Sequence, residues 1–520
     1  MSKGVVYLVG AGPGDPKLIT VKGLELLKRA GVVIYDHLVS ERLLDHCRPT
    51  AKRIYVGKAK DRHAKSQEAI NQLLVRSARF GKIVVRLKGG DPVLFGRGGE
   101  EALALAKANI PYEIVPGVTS AIAVPAYAGI PVTHRKLASS VAIVTGHEDP
   151  TKPEGAVHWD KLATATDTLV CLMGATRLAH ITTQLIHYGR SKDTPCAVIE
   201  WGTLTKQRTV VGQLSTIARR CAQARITPPA ILVVGKVVAL RRWLNWFETK
   251  PLFGKRIVVT RPTDRAEQLA DLLEALGAEV VLLPAIELAP VKPNGALRRV
   301  IRHIEEFDWV FFTSPEGIHW FRRLLKVQRR DLGVLRGRHI GAIGPKTAAA
   351  IQNFGIHVDF IPKTYSQEGM LNGLTAKRLT GKRALILSAQ GGRDVLEQGL
   401  KAQRMEVLRV PIYRTVVPAS LRRQVHVTFR GPINLVTVTS SSCVAHLVSA
   451  LKMSGLVTHV RHLRFASIGP VTSSAVRRHG GNVAIEATTS TIEGLVEAIV
   501  TSVRHMKPRL TERSDRKSVG

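Results

Sequence analysis

Residues 83–99 of this chain read IVVRLKGGDPVLFGRGG, an apolar run followed at once by two clusters of glycine. The apolar run predicts a buried strand, and the second cluster, Gly96 to Gly99, predicts the opening of a helix. Glycine has no Cβ, so a glycine loop directly after a strand lets a ligand lie close to the backbone. Strand, loop and helix in this order indicate an α/β fold with a parallel sheet.

The beginning of the chain repeats this order of elements. Residues 4–10, GVVYLVG, predict a strand that ends in the loop GAGPGD, where Asp15 is the expected N-cap of a helix with Pro16 at its first position. The next strand, VVIYDHLV, ends at Asp36, and residues 116–120 form a further loop before another helix. So many glycines after separate strands indicate a ligand that approaches the backbone.

The residues of the first loop restrict the class of ligand that it can bind. An acid about twenty residues after a glycine loop would suit a dinucleotide-binding domain. However, the spacing is G-x-G-x-G, Pro13 removes an amide donor, and Asp15 places a carboxylate where a pyrophosphate would lie. A ligand without phosphates, such as S-adenosylmethionine (SAM), fits better. A structural turn with a capping aspartate is the alternative interpretation.

The whole chain has 520 residues, so two to four domains are expected. Its formal net charge of +36 has three interpretations: a general bias toward arginine, sites for polyanionic small molecules, or nucleic-acid binding. Nucleic-acid binding is disfavoured because the basic residues are spread along the chain without interleaved aromatic residues. The densest basic stretch, residues 506–520, predicts a disordered tail.

The cysteines and the apolar runs address the compartment. The five cysteines are scattered without a C-x-x-C pair, which argues against disulfides and a zinc site and favours a reducing, cytoplasmic compartment without a metal cofactor. No run approaches eighteen apolar residues, so no membrane span is predicted. The first residues lead directly into a strand, which leaves no room for a signal peptide.

The second half of the chain contains an internal duplication. The segments that begin at Gly254, Asp308 and His339 have counterparts that begin at Gly381, Asn434 and Arg464. The three offsets are 127, 126 and 125 residues. Each unit alternates short apolar strands with helices, which predicts two similar doubly wound parallel-sheet domains with a ligand cleft at the carboxyl ends of their strands.

Matching loops of the two repeats carry hydroxyl groups at helix starts. Hydroxyls and backbone amides there suit carboxylate ligands, and ordinary N-capping is the alternative interpretation. The candidate substrate-binding residues are Thr313, Ser314, Gly344, Thr347, Thr439, Ser440, Ser441 and Thr472.

The motifs of the first half resemble those of uroporphyrinogen-III C-methyltransferases in order and spacing. They are VGAGPGD, VVIYDHLVS, YVGK, VVRLKGGDPVLFGRGGEE, VPGVTSA, GIPVTHR, VTGH, LVCLMG and VVALRRWLNWF, over about residues 3–247. The resemblance implies a tetrapyrrole methylase fold of two α/β subdomains, 1–116 and 117–247, with a cleft between them, and a homodimer. It also implies SAM as the methyl donor and a substrate that bears eight carboxylates.

The same resemblance implies roles for individual residues. Asp36 is the candidate general base, Lys58 the candidate general acid and Arg86 a substrate-positioning cation. Without the resemblance, Asp36 would be a strand-end residue that caps a turn, and the two cations would be solvated surface charges. The residues expected to hold SAM are Pro13, Gly89, Gly90, Asp91, Leu94, Thr119, Ser120, Met173 and Gly202.

The second half, residues 252–505, resembles uroporphyrinogen-III synthase in the pattern VVTRP, FTSPEG, IGPKTA, SAQGGRD, YRT, TSSS and IGPVT. The resemblance implies that residues 254–286 join 414–505 in one domain, whereas 287–413 form the other. The implied substrate is hydroxymethylbilane, a linear tetrapyrrole whose own pyrrole makes the electrophile, so few catalytic side chains are required. Tyr413 is the candidate donor to the departing hydroxyl, and the Thr and Ser loops would hold acetate and propionate groups.

Together the two resemblances imply a bifunctional enzyme of tetrapyrrole biosynthesis, of the kind that leads to sirohaem or cobalamin. The alternative is a methyltransferase of the same fold that acts on a later corrin intermediate. The fusion argues against that alternative, because the product of the second half would be the substrate of the first.

Overall fold

The computed structural model describes residues 4–57, 66–79, 82–146, 157–291, 295–375 and 379–506. Lys58 and the basic tail beyond residue 506 lie outside the described residues. The chain divides into two compact units. The first comprises Met1–Arg256, Leu272–Glu279 and Val500–Gly520, and the second comprises Ile257–Asp271 and Val280–Ile499.

A parallel sheet forms the amino-terminal part of the first unit. Its strands are β1 (Val6–Gly10), β2 (Val32–Tyr35), β3 (Lys52–Tyr55), β4 (Val84–Lys88) and β5 (Tyr112–Val115). The helices are α1 (Val21–Arg29), α2 (Glu41–Leu44), α3 (Gln67–Arg79) and α4 (Gly98–Lys107). The strand order is β3-β2-β4-β1-β5, so β4, in which every residue is buried, lies at the centre. The loops after β1, β2 and β4 therefore leave the sheet at the same edge.

The first helical turn differs in part from its prediction. Asp15 is the N-cap and Pro16 the first residue, as predicted, but the element that they open is a short 3-10 turn, Pro16–Leu18. The helix α1 begins five residues later at Val21, with Thr20 as its N-cap.

A mixed sheet follows the parallel sheet in the first unit. Its strands are β6 (Val141–Thr145), β7 (Thr168–Leu172), β8 (Pro195–Glu200), β9 (Arg208–Gln213) and β10 (Ala230–Val234). The helices are α5 (Ser120–Tyr127), α6 (Trp159–Ala165), α7 (Leu178–His187), α8 (Ile217–Gln223) and α9 (Arg241–Leu244). The order is β6-β7-β10-β8-β9, and β10 runs antiparallel to both of its neighbours. The apolar side of α5 packs on this sheet, where Ala121 and Val124 share a core with Val170 and Ile231.

From Arg256 onward, strands and helices alternate. The strands are β11 (Arg256–Val259), β12 (Glu279–Leu282), β13 (Glu287–Pro290), β14 (Trp309–Phe312), β15 (His339–Ala342), β16 (Arg383–Ala389), β17 (Glu406–Val416), β18 (Leu435–Val438), β19 (Arg464–Ser467) and β20 (Asn482–Glu486). The helices are α10 (Thr263–Ala275), α11 (Gly295–Arg302), α12 (Pro315–Val327), α13 (Pro345–Gln352), α14 (Gln367–Leu374), α15 (Val395–Ala402), α16 (Leu421–Thr428), α17 (Ser441–Met453), α18 (His459–His462), α19 (Pro470–Arg478) and α20 (Ile492–Met506).

The strands of the two repeats are exchanged between two sheets. The sheet orders are β12-β11-β18-β19-β20 and β13-β17-β16-β14-β15. The first repeat supplies β11, β12, β14 and β15, and the second supplies β16 to β19. Each sheet therefore combines one strand pair from each repeat. Neighbouring strands are parallel from β18 to β20 and among β14 to β17, whereas β13 is antiparallel to β17. The residue limits of the domains stay predictions.

All five cysteines are buried and free. None of the helices in the described part of the chain is long and apolar enough to cross a membrane.

Candidate functional site

Three loops meet at the carboxyl edge of the first sheet. The amide of Ala11 donates to the carbonyl of Lys88 at 2.7 Å, and Gly12 and Gly90 exchange two hydrogen bonds of 3.2 and 2.7 Å. The loop after β5 joins them, because a Cβ added to Gly117 would lie 2.3 Å from the carbonyl oxygen of Gly90. Glycine is required here so that one backbone can pack against another.

In contrast to Gly117, Gly90 has free space on the side where a Cβ would be attached. Its φ is +69°, in the left-handed region that favours glycine. The nearest heavy atom to an added Cβ would be the amide nitrogen of Ser120, 3.8 Å away. This side of the loop is therefore open to a ligand. Gly89 instead faces protein, because its Cβ would lie 2.8 Å from Cβ of Leu38.

Asp91 holds this loop in shape. Its Oδ1 accepts hydrogen bonds from the amides of Val93 and Leu94 at 2.8 and 2.9 Å, and its Oδ2 accepts from the amide of Gly117 at 3.0 Å. Both carboxylate oxygens are therefore bonded to backbone. Asp91 therefore caps the turn that follows it, through the amides of Val93 and Leu94. Its bond to Gly117 also connects the loop after β4 to the loop after β5.

The remaining candidates for SAM binding lie on the second sheet and on α5. Thr119 is the N-cap of α5, and its Oγ1 accepts from the amide of Ala121 at 3.2 Å. Gly202 follows β8 and packs on α5, since an added Cβ would lie 2.3 Å from Cγ1 of Val124. Met173 follows β7, has a φ of +58° and is half exposed.

Two hydrogen bonds of Asp15, which no sequence pattern predicted, connect the first loop to α5 and to the segment after β8. Oδ2 of Asp15 accepts a hydrogen bond from the Tyr127 hydroxyl at 2.9 Å, and the amide of Asp15 donates to Oγ1 of Thr203 at 3.0 Å. Burial and the Asp15 carboxylate raise the pKa of Tyr127, so its hydroxyl stays protonated and remains the donor. Asp15 therefore joins parts of the chain more than 100 residues apart.

Asp36 lies directly after β2, where its Oδ1 accepts from the amide of Leu38 at 3.3 Å. Its side chain is 28% exposed, and its Oδ2 lies 3.5 Å from Nη2 of Arg86. Arg86 itself is buried, so its interpretation as a solvated surface charge is wrong. Its Nε donates to Oε1 of Glu101 at 3.1 Å.

A second buried cation shares this carboxylate. Nζ of Lys88 donates to Oε1 of Glu101 at 2.9 Å. Burial and the nearby charge of Arg86 lower the pKa of Lys88. Sequence reasoning gave Glu101 no role, although it lies in the quoted motif, because its burial depends on how α4 packs on the central strand.

In the second unit, two of the predicted residues touch. Oγ of Ser314 and the hydroxyl of Tyr413 lie 2.8 Å apart, and Tyr413 is buried. Ser314 is also the N-cap of α12, and its Oγ accepts from the amide of Gly317 at 3.2 Å. In the contact between Ser314 and Tyr413, either hydroxyl can be the donor.

The equivalent loops of the repeats have equivalent caps. Ser440 is the N-cap of α17, and its Oγ accepts from the amide of Cys443 at 3.2 Å. Gly344 and Gly469 precede Pro345 and Pro470 at the starts of α13 and α19. Thr347 and Thr472 are buried within these helices, whereas Thr313, Thr439 and Ser441 are partly exposed. The capping interpretation therefore holds for Ser314 and Ser440.

A cavity of about 860 Å³ opens beside these loops. One wall is the amino-terminal half of α12, from Pro315 to Arg323, and the other walls come from segments 284–288 and 418–424. These two segments are the connections between the two sheets. The cavity therefore occupies the cleft that the duplication predicted, and Pro315 places Ser314 at its edge.

Comparisons with known proteins find a different family in each half of the chain. Residues 5–218 match the family Tetrapyrrole (Corrin/Porphyrin) Methylases, and residues 267–497 match Uroporphyrinogen-III synthase HemD. The "Porphyrin biosynthesis protein HemD" of Ruminiclostridium josui is 37% identical over 504 residues, covering 96% of this chain and 98% of that protein. The chain belongs to both families, as a fusion of a uroporphyrinogen-III C-methyltransferase with a uroporphyrinogen-III synthase. It is a bifunctional enzyme of tetrapyrrole biosynthesis.

The methyltransferase half has relatives of its own. The uroporphyrinogen-III C-methyltransferase of Methanocaldococcus jannaschii is 54% identical over 236 residues, covering 45% of this chain and 97% of that protein. A solved uroporphyrin-III C-methyl transferase from Thermus thermophilus, complexed with S-adenyl homocysteine, is 43% identical over 45% of this chain and 93% of that chain, with a TM-score of 0.39.

The residues of the methyltransferase half fit SAM. The open side of Gly90 offers bare backbone, and the hydroxyls of Thr119 and Ser120 lie at the adjacent start of α5. Both oxygens of Asp91 are committed to amides, so its carboxylate would shape the site while the backbone makes contact. Pro13 lies in the first loop, between Gly12 and the Asp15 cap.

Proposed function

We propose that the chain performs two successive steps of tetrapyrrole synthesis. The synthase half converts hydroxymethylbilane to uroporphyrinogen III with loss of one water molecule. The methyltransferase half then transfers two methyl groups from two molecules of SAM to uroporphyrinogen III, giving precorrin-2 and two molecules of S-adenosylhomocysteine. The observation that carries this proposal is that the turn after Asp36 touches the glycine loop, through Leu38 against Gly89.

In the methyl transfer, SAM supplies an electrophilic methyl group, and a pyrrole carbon of the substrate is the nucleophile. The chain aligns the two reactants, which contributes roughly 7–11 kcal/mol in favourable systems. The ring system must also lose a proton. Asp36 is the proposed acceptor, because its carboxylate is partly exposed and its Oδ2 lies 3.5 Å from Nη2 of Arg86. Lys58 is the proposed general acid.

SAM would be held by the residues around the three loops. The open backbone at Gly90 allows close approach, and Gly89 and Asp91 keep that backbone in place. The remaining proposed contacts are Pro13, Leu94, Thr119, Ser120, Met173 and Gly202.

In the synthase half, Tyr413 is the proposed donor to the departing hydroxyl of hydroxymethylbilane. Either hydroxyl can be the donor in the contact of Tyr413 with Ser314, and when Ser314 donates to the Tyr413 oxygen the phenolic proton is free for the substrate. The substrate's own pyrrole expels the hydroxyl, which leaves as water, so Tyr413 assists a reaction that needs little other catalysis. The Thr and Ser loops would bind the acetate and propionate groups.

The experiment uses the full chain with hydroxymethylbilane, with and without SAM. Without SAM the expected product is uroporphyrinogen III, and with SAM the product gains two methyl groups by mass. Separately, a fragment of residues 1–247 should methylate supplied uroporphyrinogen III. Its mass, measured by light scattering during size-exclusion chromatography, should be that of a homodimer. Formation of the uncatalysed isomer alone, or no mass gain with SAM, would contradict the corresponding half of the proposal.

A further inference from the structure

The central strand β4 is an unusual location for charge. Strands buried on both faces of a parallel sheet normally carry apolar side chains. Arg86 and Lys88 are two residues apart, so their side chains share one face of β4, and both are buried. Two buried cations are unfavourable unless a carboxylate compensates them.

Glu101 provides this compensation. It lies on α4 and is 0% exposed. Its Oε1 accepts hydrogen bonds from Nε of Arg86 at 3.1 Å, from Nζ of Lys88 at 2.9 Å and from Nε2 of Gln67 at 3.3 Å. Its Oε2 has no hydrogen-bond partner among the residues that the structure describes. One oxygen of the Glu101 carboxylate thus accepts hydrogen bonds from side chains of both β4 and α3.

Arg86 connects this carboxylate to Asp36. Its Nη1 donates to the carbonyls of Ile34 and Leu87 at 3.4 and 3.2 Å, and its Nη2 lies 3.5 Å from Oδ2 of Asp36. A guanidinium is planar, so fixing Nε and Nη1 also fixes the direction of Nη2. The orientation of Arg86 toward Asp36 therefore depends on Glu101.

We propose that Glu101 is a positioning residue for methyl transfer, which acts through Arg86 to hold the Asp36 carboxylate beside the glycine loop. Glu101 is fully buried and does not touch the reactants. This inference rests on the proposed role of Asp36. It assigns a function to a buried charge cluster that the fold alone would not require, because apolar residues would pack a central strand equally well.

The test is a graded series in the full chain, Glu101→Asp and Glu101→Gln. Glu101→Asp keeps the charge but retracts it by one methylene group, and Glu101→Gln keeps the shape but removes the charge. We expect kcat for methylation of uroporphyrinogen III to fall in the order wild type, Asp, Gln, by about tenfold or more for Gln, a loss of roughly 1.4 kcal/mol in transition-state stabilisation. The KM for SAM and the affinity for S-adenosylhomocysteine should change less than about threefold.

The matched control is Glu100→Gln. Glu100 is the preceding residue of α4, and its carboxylate forms a surface ion pair with Arg97 at 2.7 Å, with both side chains more than half exposed. The same chemical change there should leave kcat, KM and ligand affinity unchanged. If Glu101→Gln does not fold, Glu101→Asp alone carries the comparison.

A double-variant cycle tests whether Glu101 acts through Asp36. If it does, Asp36→Asn combined with Glu101→Gln should have the same kcat as Asp36→Asn alone. Multiplied losses, an unchanged kcat in both Glu101 variants, or parallel losses of kcat and SAM affinity would overturn the proposal. Full turnover in Asp36→Asn alone would instead contradict the proposed base and identify that step as the one that failed.

Discussion

The two halves differ in the side chains on which their proposed chemistry depends. In the methyltransferase half these are acidic and basic side chains, some of them buried, whereas in the synthase half they are two hydroxyl groups. Arg86 contacts Asp36 on one side and the buried carboxylate of Glu101 on the other. Tyr413 has only Ser314 among the contacts described for its hydroxyl. The difference corresponds to the two reactions. A ring proton must be removed after methyl transfer, but the substrate of the synthase makes its own electrophile.

The largest expected effect is that of Asp36→Asn. The amide keeps the shape of the side chain but cannot accept the ring proton. We expect kcat for methylation to fall at least about tenfold, within or near the range typical of a general base. Affinity for S-adenosylhomocysteine, measured by calorimetric titration, should stay within about threefold. Synthase activity in the same protein is the control, and a variant with normal turnover would remove Asp36 from the mechanism.

The second prediction concerns Gly90→Ala. Because φ is +69°, the substitution introduces backbone strain of about 1–2 kcal/mol, which a denaturant melt should detect. The new methyl group would also occupy the open side of the loop, so affinity for S-adenosylhomocysteine should fall about tenfold, or about 1.4 kcal/mol.

Gly99→Ala is the matched control for that variant. Gly99 lies in the first turn of α4, and an added Cβ has no heavy atom within 4 Å. Alanine should leave ligand affinity unchanged and should raise stability slightly, since it is the better helix former. Equal affinity of the Gly90 and Gly99 variants would show that the loop after β4 does not hold SAM.

The third prediction concerns Tyr413→Phe. If the hydroxyl assists only the loss of water, the synthase rate should fall about fivefold to tenfold, less than the usual effect of an acid catalyst. Methylation of supplied uroporphyrinogen III should not change. A loss of a hundredfold or more would mean that the synthase half relies on Tyr413 as heavily as the methyltransferase half relies on its base, and the contrast would fail.

The smallest effects are expected for the paired caps Ser314→Ala and Ser440→Ala. Each removes an equivalent N-cap hydrogen bond of 3.2 Å, so each should lower the free energy of unfolding by about 1 kcal/mol. Only Ser314 also contacts Tyr413, so Ser314→Ala should slow the synthase reaction about twofold to fivefold more than Ser440→Ala does. Equal rates in the two variants would show that the contact of Ser314 with Tyr413 contributes nothing to the reaction.

The sequence predicted the elements that depend on local chemistry. The strands that precede the glycine loops, the cap at Asp15 and the short strands and helices after Arg256 are all present. The two sheet orders also combine strands of both repeats, an arrangement that was implied by the family resemblance alone. The strands and the cap follow from apolar periodicity and capping residues, which a single sequence displays directly.

The features that the sequence did not reveal all depend on distant contacts. The burial of Arg86 requires knowledge that β4 is the central strand, and the second bond of Asp91 reaches an amide 26 residues away. The sign of φ at Gly90 decides whether alanine is strained there, and no sequence pattern specified it. For the same reason the hydrogen bond between Asp15 and Tyr127, 112 residues apart, was missed.

The exchange of strands has a consequence for the order of folding during synthesis. The sheet from β13 to β17 is continuous in sequence, so it can form as soon as residue 416 has left the ribosome. In the other sheet, Ile257 pairs with Leu435, a separation of 178 residues, so β11 must wait for the last fifth of the chain before this neighbour exists. A nascent chain that stops after Val416 therefore holds one finished sheet and one exposed strand edge, which is a template for aggregation until translation is complete.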